Sequence, residues 1–284
     1  PAATGSLGQG LSIAAGLALA GRLDGLDRRV FCLIGDGESR EGQIAEALDF
    51  LMDYQLRTVC PIFNCNHYGQ ADAVSRQQSP EVLARKLEAV GFEVRTIDGH
   101  DPEQIHRALE EHTETVRDPE ARLLAIVAHT IKGWGMTAVL EPNMHGRAIP
   151  QAELPRVWEA LDAEAARLGA AWTPGDLEIP PLAEETAPAS QAAQPLGTFP
   201  EVLKQLGQGK LLDQGKLAPR RAFGIALAAL GHADRRVVAL DGDVRNSTFS
   251  ETFFRDSQLQ ERFFECKIAE QNMISVAGGL ASGG

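Results

Sequence analysis

Residues 33–43 read LIGDGESREGQ and place a Gly-Asp-Gly at the end of an apolar run. That run, RVFCLIG at 29–35, has the length and apolar character of a buried strand. Gly35 and Gly37 are expected to let the backbone turn tightly after the strand and approach a ligand without side-chain obstruction. Ligands of parallel sheets bind beyond the carboxyl ends of the strands, so Asp36 is a candidate ligand-binding carboxylate. A Gly-Asp-Gly alone is more often an ordinary turn than a ligand site.

Strands and helices alternate through the first 130 residues. Apolar runs of strand length recur at 58–64, 92–98 and 122–130, and helical periodicity predicts helices at about 9–21, 41–54, 80–90 and 102–116. This repeat predicts an α/β fold in which helices cover both faces of a parallel sheet. Pro61, inside the second run, lacks the N–H that a ladder needs and counts against a central strand.

The amino-acid composition changes along the rest of the chain before a second α/β unit begins. From about 165 to 205 the sequence is rich in Ala, Pro and Glu without a steady period, which is typical of an extended linker. A helix at 219–232, a strand at 236–242 and a helix at 268–281 follow. The predicted domains are therefore a first α/β domain (1–164), a linker (165–215) and a second α/β domain (216–284).

Composition excludes several classes of function. The formal net charge of −12 argues against non-specific binding to nucleic acid or to an anionic membrane surface. No apolar run reaches the ~20 residues of a membrane span. The four cysteines lack the CxxC spacing of a zinc or redox site, which favours a cytoplasmic location.

From its two ends, we expect this sequence to be a fragment of a longer protein. The start, PAATGSLGQG, lacks an initiator Met and the pattern of a signal peptide, and the end, SVAGGLASGG, reads as a helix cut short. Intact domains usually end after a complete element.

A candidate metal site joins the first two strand ends. Asn66, in FNCNHYGQ, follows the second strand as Asp36 follows the first. Carboxylate and amide oxygens suit Mg²⁺, whose remaining positions are commonly filled by phosphate oxygens and water. The carbonyl of Tyr68 is a further candidate ligand. The pattern predicts a site for a metal diphosphate.

Two other ligand-binding motifs, a phosphate-binding loop and a calcium loop, are excluded by individual residues. TGSLGQGLS has no Lys before its Ser, so it is not a P-loop, and its glycines depart from GxGxxG at Ile13. DGDVRNSTFSET begins like a calcium loop, but Asn246 replaces the required Gly, Arg245 occupies a ligand position and Glu251 comes one place early.

Seven motifs follow one another along the chain: TGSLGQG, GDGESREGQIAEALDF, NCNHYGQ, HTIKGWG, MHG, ALDGDVRNSTFSE and IAEQNM. Together, in this order and with these spacings, they resemble transketolase, a family of thiamine diphosphate enzymes. The resemblance implies a thiamine diphosphate-binding fold, with most of a pyrophosphate-binding domain first and the start of a pyrimidine-binding domain after the linker. It also implies transfer of a two-carbon ketol unit from a ketose phosphate to an aldose phosphate in the pentose phosphate pathway.

The resemblance implies roles for individual residues. Asp36, Asn66 and the Tyr68 carbonyl would hold Mg²⁺, for which Ca²⁺ and Mn²⁺ are alternatives. Glu270 matches the glutamate that bonds the aminopyrimidine ring, and Glu41 matches one that links two active sites across a dimer. The other implied groups are cofactor-binding Gly5, Ser6, Leu7, Gly37, Lys132 and Asp243, catalytic Lys132 and His145, and substrate-binding His145, Arg220 and Ser247.

Taken without the resemblance, these residues have ordinary readings. Glu270 is then a first-turn acid favoured by the helix dipole. Glu41, Lys132, His145 and Arg220 are then solvated groups in loops or at helix starts.

Partners and alternatives remain open at this level. The resemblance implies sugar-phosphate substrates and a homodimer with active sites at the subunit interface. Other thiamine diphosphate enzymes, such as 1-deoxyxylulose-5-phosphate synthase or the homodimeric pyruvate dehydrogenase component, are an alternative. A non-catalytic binding or dimerisation module that keeps the fold is another.

Overall fold

A computed structural model describes residues 2–136, 145–170, 193–215 and 217–284. The strands are β1 (Val30–Gly35), β2 (Val59–Cys65), β3 (Glu93–Asp98), β4 (Leu124–His129), β5 (Ala239–Asp241) and β6 (Phe263–Glu265). The helices are α1 (Gly10–Asp24), α2 (Gly42–Asp53), α3 (Pro80–Val90), α4 (Pro102–Arg117), α5 (Leu154–Arg167), α6 (Phe199–Gln205), α7 (Lys210–Asp213), α8 (Pro219–Ala233), α9 (Arg245–Thr248), α10 (Glu251–Phe254) and α11 (Glu270–Gly283).

The chain divides into two compact units, which are treated separately below. The first unit comprises Pro1–Val30, Gln43–Thr58 and Thr186–Gly284, and the second comprises Phe31–Gly42 and Val59–Glu185.

The second unit is built on a four-stranded sheet with strand order β1-β2-β4-β3. β2 and β3 both run parallel to β4, which lies between them. Strand β4 is buried from Leu124 to Ala128 because it lies inside the sheet and consists of apolar residues. Cys60, Ala108 and Ile126 form a buried cluster between the sheet and helix α4. Helices α3 and α4 both begin with Pro after a side-chain cap, Ser79 or Asp101.

The register of this sheet brings strand ends together. Cys65 and Asp98 are both paired with His129, so β2, β3 and β4 end at one level. Directly after β3, Gly99 packs so closely on the end of β4 that a Cβ there would lie 2.5 Å from Thr130 Cγ2. The loops that follow the strands therefore start side by side.

Pro61 lies within β2 despite its missing N–H. The pairing of β2 with β4 begins at Ile62, opposite Ile126, so Pro61 precedes the paired part of the ladder on that side. Because Pro61 lies before the part of β2 that pairs with β4, its missing N–H does not exclude it from the strand.

Two regions of packing that involve helices hold the first unit together. Helices α1 and α11 cross at glycines: a Cβ on Gly16 would lie 2.2 Å from the Val276 carbonyl oxygen, and one on Gly279 would lie 2.2 Å from the Ile13 carbonyl oxygen. Parallel strands β5 and β6 pack with α8 and α10 around a second apolar cluster. Its buried members are Ala228, Ala239, Phe253, Leu259 and Phe263.

The fold class and the principal elements agree with the sequence. The eleven helices and strands predicted above are present, with bounds displaced by a few residues. Helices α6 and α7 lie inside the segment predicted as a linker, whose residues 171–192 are outside the described ranges. Of the helices in the described ranges, none combines the length and apolar character needed to cross a membrane.

Candidate active site

Asp36 lies at the carboxyl end of β1 and is 2% exposed. Its Oδ1 accepts a hydrogen bond from the Gly37 amide at 2.7 Å, and its Oδ2 accepts one from the His67 amide at 2.6 Å. Its own amide donates to the Asn64 carbonyl at 3.1 Å. The carboxylate thus ties the loop after β1 to the loop after β2.

The loop after β2 carries the other predicted metal ligands. Asn66 Oδ1 accepts a hydrogen bond from the Tyr68 amide at 3.0 Å, and His67 adopts a left-handed φ of 67°. The Gly69 amide then donates to the Asp72 carbonyl, and the Val74 amide donates to the His67 carbonyl. These bonds fix Asn66 and Tyr68 in a compact turn directly beside Asp36.

The glycines around Asp36 act differently from the prediction. Neither Gly35 nor Gly37 is among the residues with positive φ, and Gly37 has an ordinary helical φ of −60°. A Cβ on Gly37 would make ordinary contacts, 3.7 Å from Val74 Cγ1 and 3.9 Å from Gly69 Cα. The chain turns after β1 as predicted, but with backbone angles that do not require glycine, and neither glycine is needed to avoid a clash within the chain.

Lys132 reaches this group of loops from the end of β4. Its Nζ donates a hydrogen bond to the Gly69 carbonyl at 2.8 Å and lies 5.9 Å from the centre of the Tyr68 ring. The second unit therefore brings together five of the predicted residues, which are Asp36, Gly37, Asn66, Tyr68 and Lys132.

The donor set at this edge fits a hard divalent cation with a phosphate group. Asp36 supplies a carboxylate, Asn66 an amide oxygen and Tyr68 a backbone carbonyl, and Mg²⁺ prefers few protein oxygens of these kinds. Within the described residues, no cluster of three or more His, Cys, Asp or Glu side chains suits a metal. A metal here would depend on phosphate oxygens and water for its remaining positions.

Several predicted residues are not joined to that group. Glu41 is exposed directly before α2, and His145 is the first described residue after a gap and is also exposed. Gly5, Ser6 and Leu7 are exposed ahead of α1 in the first unit. Leu7 is 56% exposed, so its side chain is accessible from solvent.

In the first unit, Asp243 lies in a strained loop that two other acids organise. Asp243 has a φ of 64°, and its amide donates to Glu265 Oε1 at 2.9 Å. Glu265 Oε2 pairs with Arg245 at 2.8 Å. Asp241 is 4% exposed and accepts hydrogen bonds from the Val244 amide and the Ser250 hydroxyl, both at 2.7 Å.

Sequence reasoning missed both organising acids. The sequence could have indicated Asp241, since this residue stands at a strand end as Asp36 does. It could not have indicated Glu265, because Asp243 and Arg245, which Glu265 binds, lie in a loop about twenty residues earlier.

The predicted phosphate-binding pair lies near this loop. Arg220 is exposed at the second residue of α8, and its guanidinium carbon lies 5.4 Å from the centre of the Phe249 ring. Ser247 is exposed in α9, two residues before Phe249. A Cβ on Gly224 would lie 2.1 Å from the Phe249 carbonyl oxygen, so α8 and this loop are in close contact.

Glu270 is the first residue of α11 and is exposed. The helix start is held by Glu46 of α2, whose Oε2 accepts a hydrogen bond from the Asn272 amide at 3.0 Å. The Asn272 side chain is fully buried and has no hydrogen-bond partner among the residues that the structure describes. Gln43 adds a second tie, donating to Ser12 at 3.0 Å and Ser275 at 2.8 Å.

The cysteines are structural. Cys32, Cys60, Cys65 and Cys266 are all buried and free. Burial, and then the charge of Asp36, raises the pKa of Cys65 to about 12. Burial also raises the pKa of each of the other three thiols to about 12, so none is a nucleophile near neutral pH.

Comparisons with known proteins relate these features to one family. The model of the transketolase pyrimidine-binding domain matches residues 215–284, and the model of the dehydrogenase E1 component matches residues 2–124. Mouse transketolase is 37% identical over 284 residues, which cover 99% of this chain. Along nearly its whole length, the chain is similar to members of the transketolase family. Within that family, human transketolase-like protein 2 is 38% identical over the same length.

Solved structures agree on the fold. Transketolase from Campylobacter jejuni superposes with a TM-score of 0.64 at 22% identity, covering 99% of this chain and 46% of that one. Transketolase from Leishmania mexicana gives 0.60 at 19% identity, covering 98% and 46%. The predicted thiamine diphosphate-binding α/β fold is confirmed. The chain spans 41 to 42% of the length of the mouse and human relatives named above.

Proposed function

We propose that this chain forms part of the active site of a transketolase. Such an enzyme transfers a two-carbon ketol unit reversibly from a ketose phosphate to an aldose phosphate in the pentose phosphate pathway, with thiamine diphosphate and Mg²⁺. Similarity to the transketolase family supports this assignment. The observation that carries it is the 2.6 Å bond from the His67 amide to Asp36, which joins the two loops of oxygen donors.

The metal diphosphate would bind at the end of the sheet in the second unit. Asp36 and Asn66 would contribute one side-chain oxygen each, and Tyr68 its carbonyl. The Asp36 carboxylate is already oriented by two backbone amides, so it loses little further freedom on binding. The Lys132 ammonium, 2.8 Å from the Gly69 carbonyl, would add positive charge for the diphosphate.

Carbon chemistry would be supplied by the cofactor when it is bound, as is general for thiamine enzymes. The residues of this chain would bind, orient and handle protons. Glu270 at the exposed start of α11 would hold a proton against the aminopyrimidine ring nitrogen, and Asp243 would lie on the cofactor side of its loop. Gly5, Ser6, Leu7 and Gly37 would line the cofactor.

Substrate recognition would use the phosphate end of the sugar. A guanidinium presents several N–H donors in a fork that suits phosphate oxygens, and Arg220 would act so with the Ser247 hydroxyl beside it. His145 would contact the substrate nearer the reacting carbons. Two chains would complete each site in a homodimer, with Glu41 linking the sites.

The proposal also assigns the domains. Residues 1–164 would belong to the pyrophosphate-binding domain, 165–215 to the linker and 216–284 to the pyrimidine-binding domain. The two family models support the two ends of this division.

Calorimetric titration of thiamine diphosphate, with and without Mg²⁺, tests the proposal. We expect binding that needs the metal and that Asp36→Ala abolishes. The exposed Asp49 on α2 gives a matched control, and Asp49→Asn should bind as the wild type does. Absence of metal-dependent binding by the folded wild-type chain would contradict the assignment.

One observation favours a second candidate. The match of residues 2–124 to the model of the dehydrogenase E1 component favours, as the alternative, another thiamine diphosphate enzyme, such as 1-deoxyxylulose-5-phosphate synthase or the homodimeric pyruvate dehydrogenase component. Donor specificity separates the candidates, because a ketose phosphate as the consumed donor supports transketolase and a 2-oxo acid supports the alternative. Cofactor binding without consumption of either donor would indicate a non-catalytic module.

A further inference from the structure

The loop that carries Lys132 is short and has few fixed points of its own. Residues 131–136 follow β4, with Gly133 and Gly135 at positive φ of 75° and 79°. Two turn bonds shape it: the Trp134 amide donates to the Ile131 carbonyl at 3.0 Å, and the Met136 amide donates to the Gly133 carbonyl at 2.9 Å. Two glycines in six residues leave such a loop conformationally permissive unless other contacts hold it.

His100, which follows β3, contacts this loop on both sides of Lys132. The Ile131 amide donates to His100 Nε2 at 2.8 Å. The Trp134 indole stacks on the imidazole with ring centres 4.4 Å apart and planes 5° from parallel. This bond uses Nε2 as the acceptor, which the imidazole offers in the tautomer that carries its hydrogen on Nδ1.

The position of His100 is itself fixed. Its amide donates to Asp98 Oδ1 at 2.9 Å, and the preceding Gly99 amide donates to the His129 carbonyl at 2.7 Å. Gly99 leaves no space for a side chain against Thr130, so the end of β3 lies directly against the end of β4. His100 is therefore held at the edge of the sheet and links the loop to it.

We propose that His100 is a positioning residue for Lys132. It holds the loop one residue before Lys132 by a hydrogen bond and two residues after it by stacking, and so keeps the ammonium on the Gly69 carbonyl. The functional importance of this latch, defined as His100, Ile131 and Trp134, rests on the proposed function, in which Lys132 adds charge for a diphosphate.

The latch is tested without any cofactor by measuring how fast the lysine amines are acetylated. In the full chain, a limiting amount of an N-hydroxysuccinimide ester labels each lysine, and peptide mass spectrometry gives the rates. His100→Ala should raise the rate at Lys132 about 2- to 10-fold, the range that loss of one hydrogen bond corresponds to. Lys86 is the internal control, since its Nζ donates to the Gln77 carbonyl, also at 2.8 Å, far along the chain from the latch.

Two further variants separate the contacts. His100→Phe keeps a ring for stacking and loses the acceptor, whereas His100→Gln keeps an acceptor and loses the stack. Each should give a rate at Lys132 between those of wild type and His100→Ala. His106→Ala removes an exposed histidine of α4 and should change neither lysine.

The outcomes are distinguishable. A wild-type rate at Lys132 in folded His100→Ala would overturn the latch. If both lysines become faster, the variant has lost its fold, and His100→Gln and Trp134→Ala decide the matter: a rise confined to Lys132 supports the latch and no rise overturns it.

A thiamine diphosphate titration then connects the latch to the site. With Mg²⁺ present, His100→Ala should weaken binding in the wild-type background and have no further effect in Lys132→Ala, because coupled residues are not additive. An equal effect in both backgrounds would overturn positioning through Lys132. Failure of the wild type to bind would count against the proposed function and leave the acetylation result in place.

Discussion

Asp36 Oδ2 lies 2.6 Å from the backbone nitrogen of His67, so one buried carboxylate closes the gap between the loops after β1 and β2. The same carboxylate accepts a bond from Gly37 on its own loop. A charged group with 2% exposure is retained only where hydrogen bonds compensate its lost hydration. The amides of Gly37 and His67 provide that compensation here.

Asp36→Ala should therefore destabilise the chain even without ligand. The His67 and Gly37 amides would lose their acceptor, and an unsatisfied buried donor costs about 1–3 kcal/mol. Urea denaturation gives the free energy of unfolding, and Asp49→Asn serves as the control at an exposed site. An unchanged free energy of unfolding in Asp36→Ala would show that the two amides find other partners.

The crossing of α1 and α11 depends on glycine. Gly16→Ala should lower the free energy of unfolding by about 1–3 kcal/mol or more, because its Cβ would collide with the Val276 backbone carbonyl. Gly278 lies on the same helix α11 with no atom near its missing Cβ, so Gly278→Ala should stabilise by about 0.5–1 kcal/mol. Denaturation of both variants checks the pair, and equal effects would contradict the crossing.

Alkaline pH should destabilise the fold through its buried thiols. The pKa of Cys60 is raised from 9.0 to about 12 by burial, so an unfolded chain releases this proton at lower pH than the folded one. Stability from this group is complete below pH 9 and is lost as pH rises through about 12. Denaturation across this range should show a falling free energy of unfolding.

Cys60→Ala tests that account. The variant should be less stable near neutral pH because it leaves a cavity, but its stability should fall less steeply above pH 9. A slope equal to that of the wild type would assign the alkaline effect to other groups, such as Tyr54, whose pKa burial also raises to about 12.

Sequence patterns predicted those parts of the candidate site that have a local signal. The strand ends at Asp36 and Asn66 were found because apolar runs stop there and parallel strands end at one sheet edge. Strand β6 was not predicted, since three residues are too few to show a period. Helix α6 had a signal that composition concealed: Glu201 accepts a hydrogen bond from the Thr198 amide at 2.7 Å, as in a capping box.

Contacts between distant segments had no such signal. Glu46 binds the start of α11 across 226 positions, and His100 binds Ile131 across 31. Both side chains look like ordinary helix or loop residues in the sequence. Their roles come from packing, which a single sequence does not display.

Glu270 offers a test that separates structure from function. At the exposed start of α11 its carboxylate is favoured by the helix dipole, a small contribution, so Glu270→Gln should leave the free energy of unfolding nearly unchanged. If Glu270 holds the proton of the aminopyrimidine ring, the same change should slow cofactor-dependent ketol transfer by about 10²- to 10⁴-fold, the usual contribution of a positioned acid or base. Glu103→Gln is the matched control, since Glu103 is an exposed first-turn acid of α4. Equal transfer rates in the two variants would remove Glu270 from the proposed mechanism, whereas a loss confined to Glu270→Gln would place the α11 start at the reacting end of the cofactor.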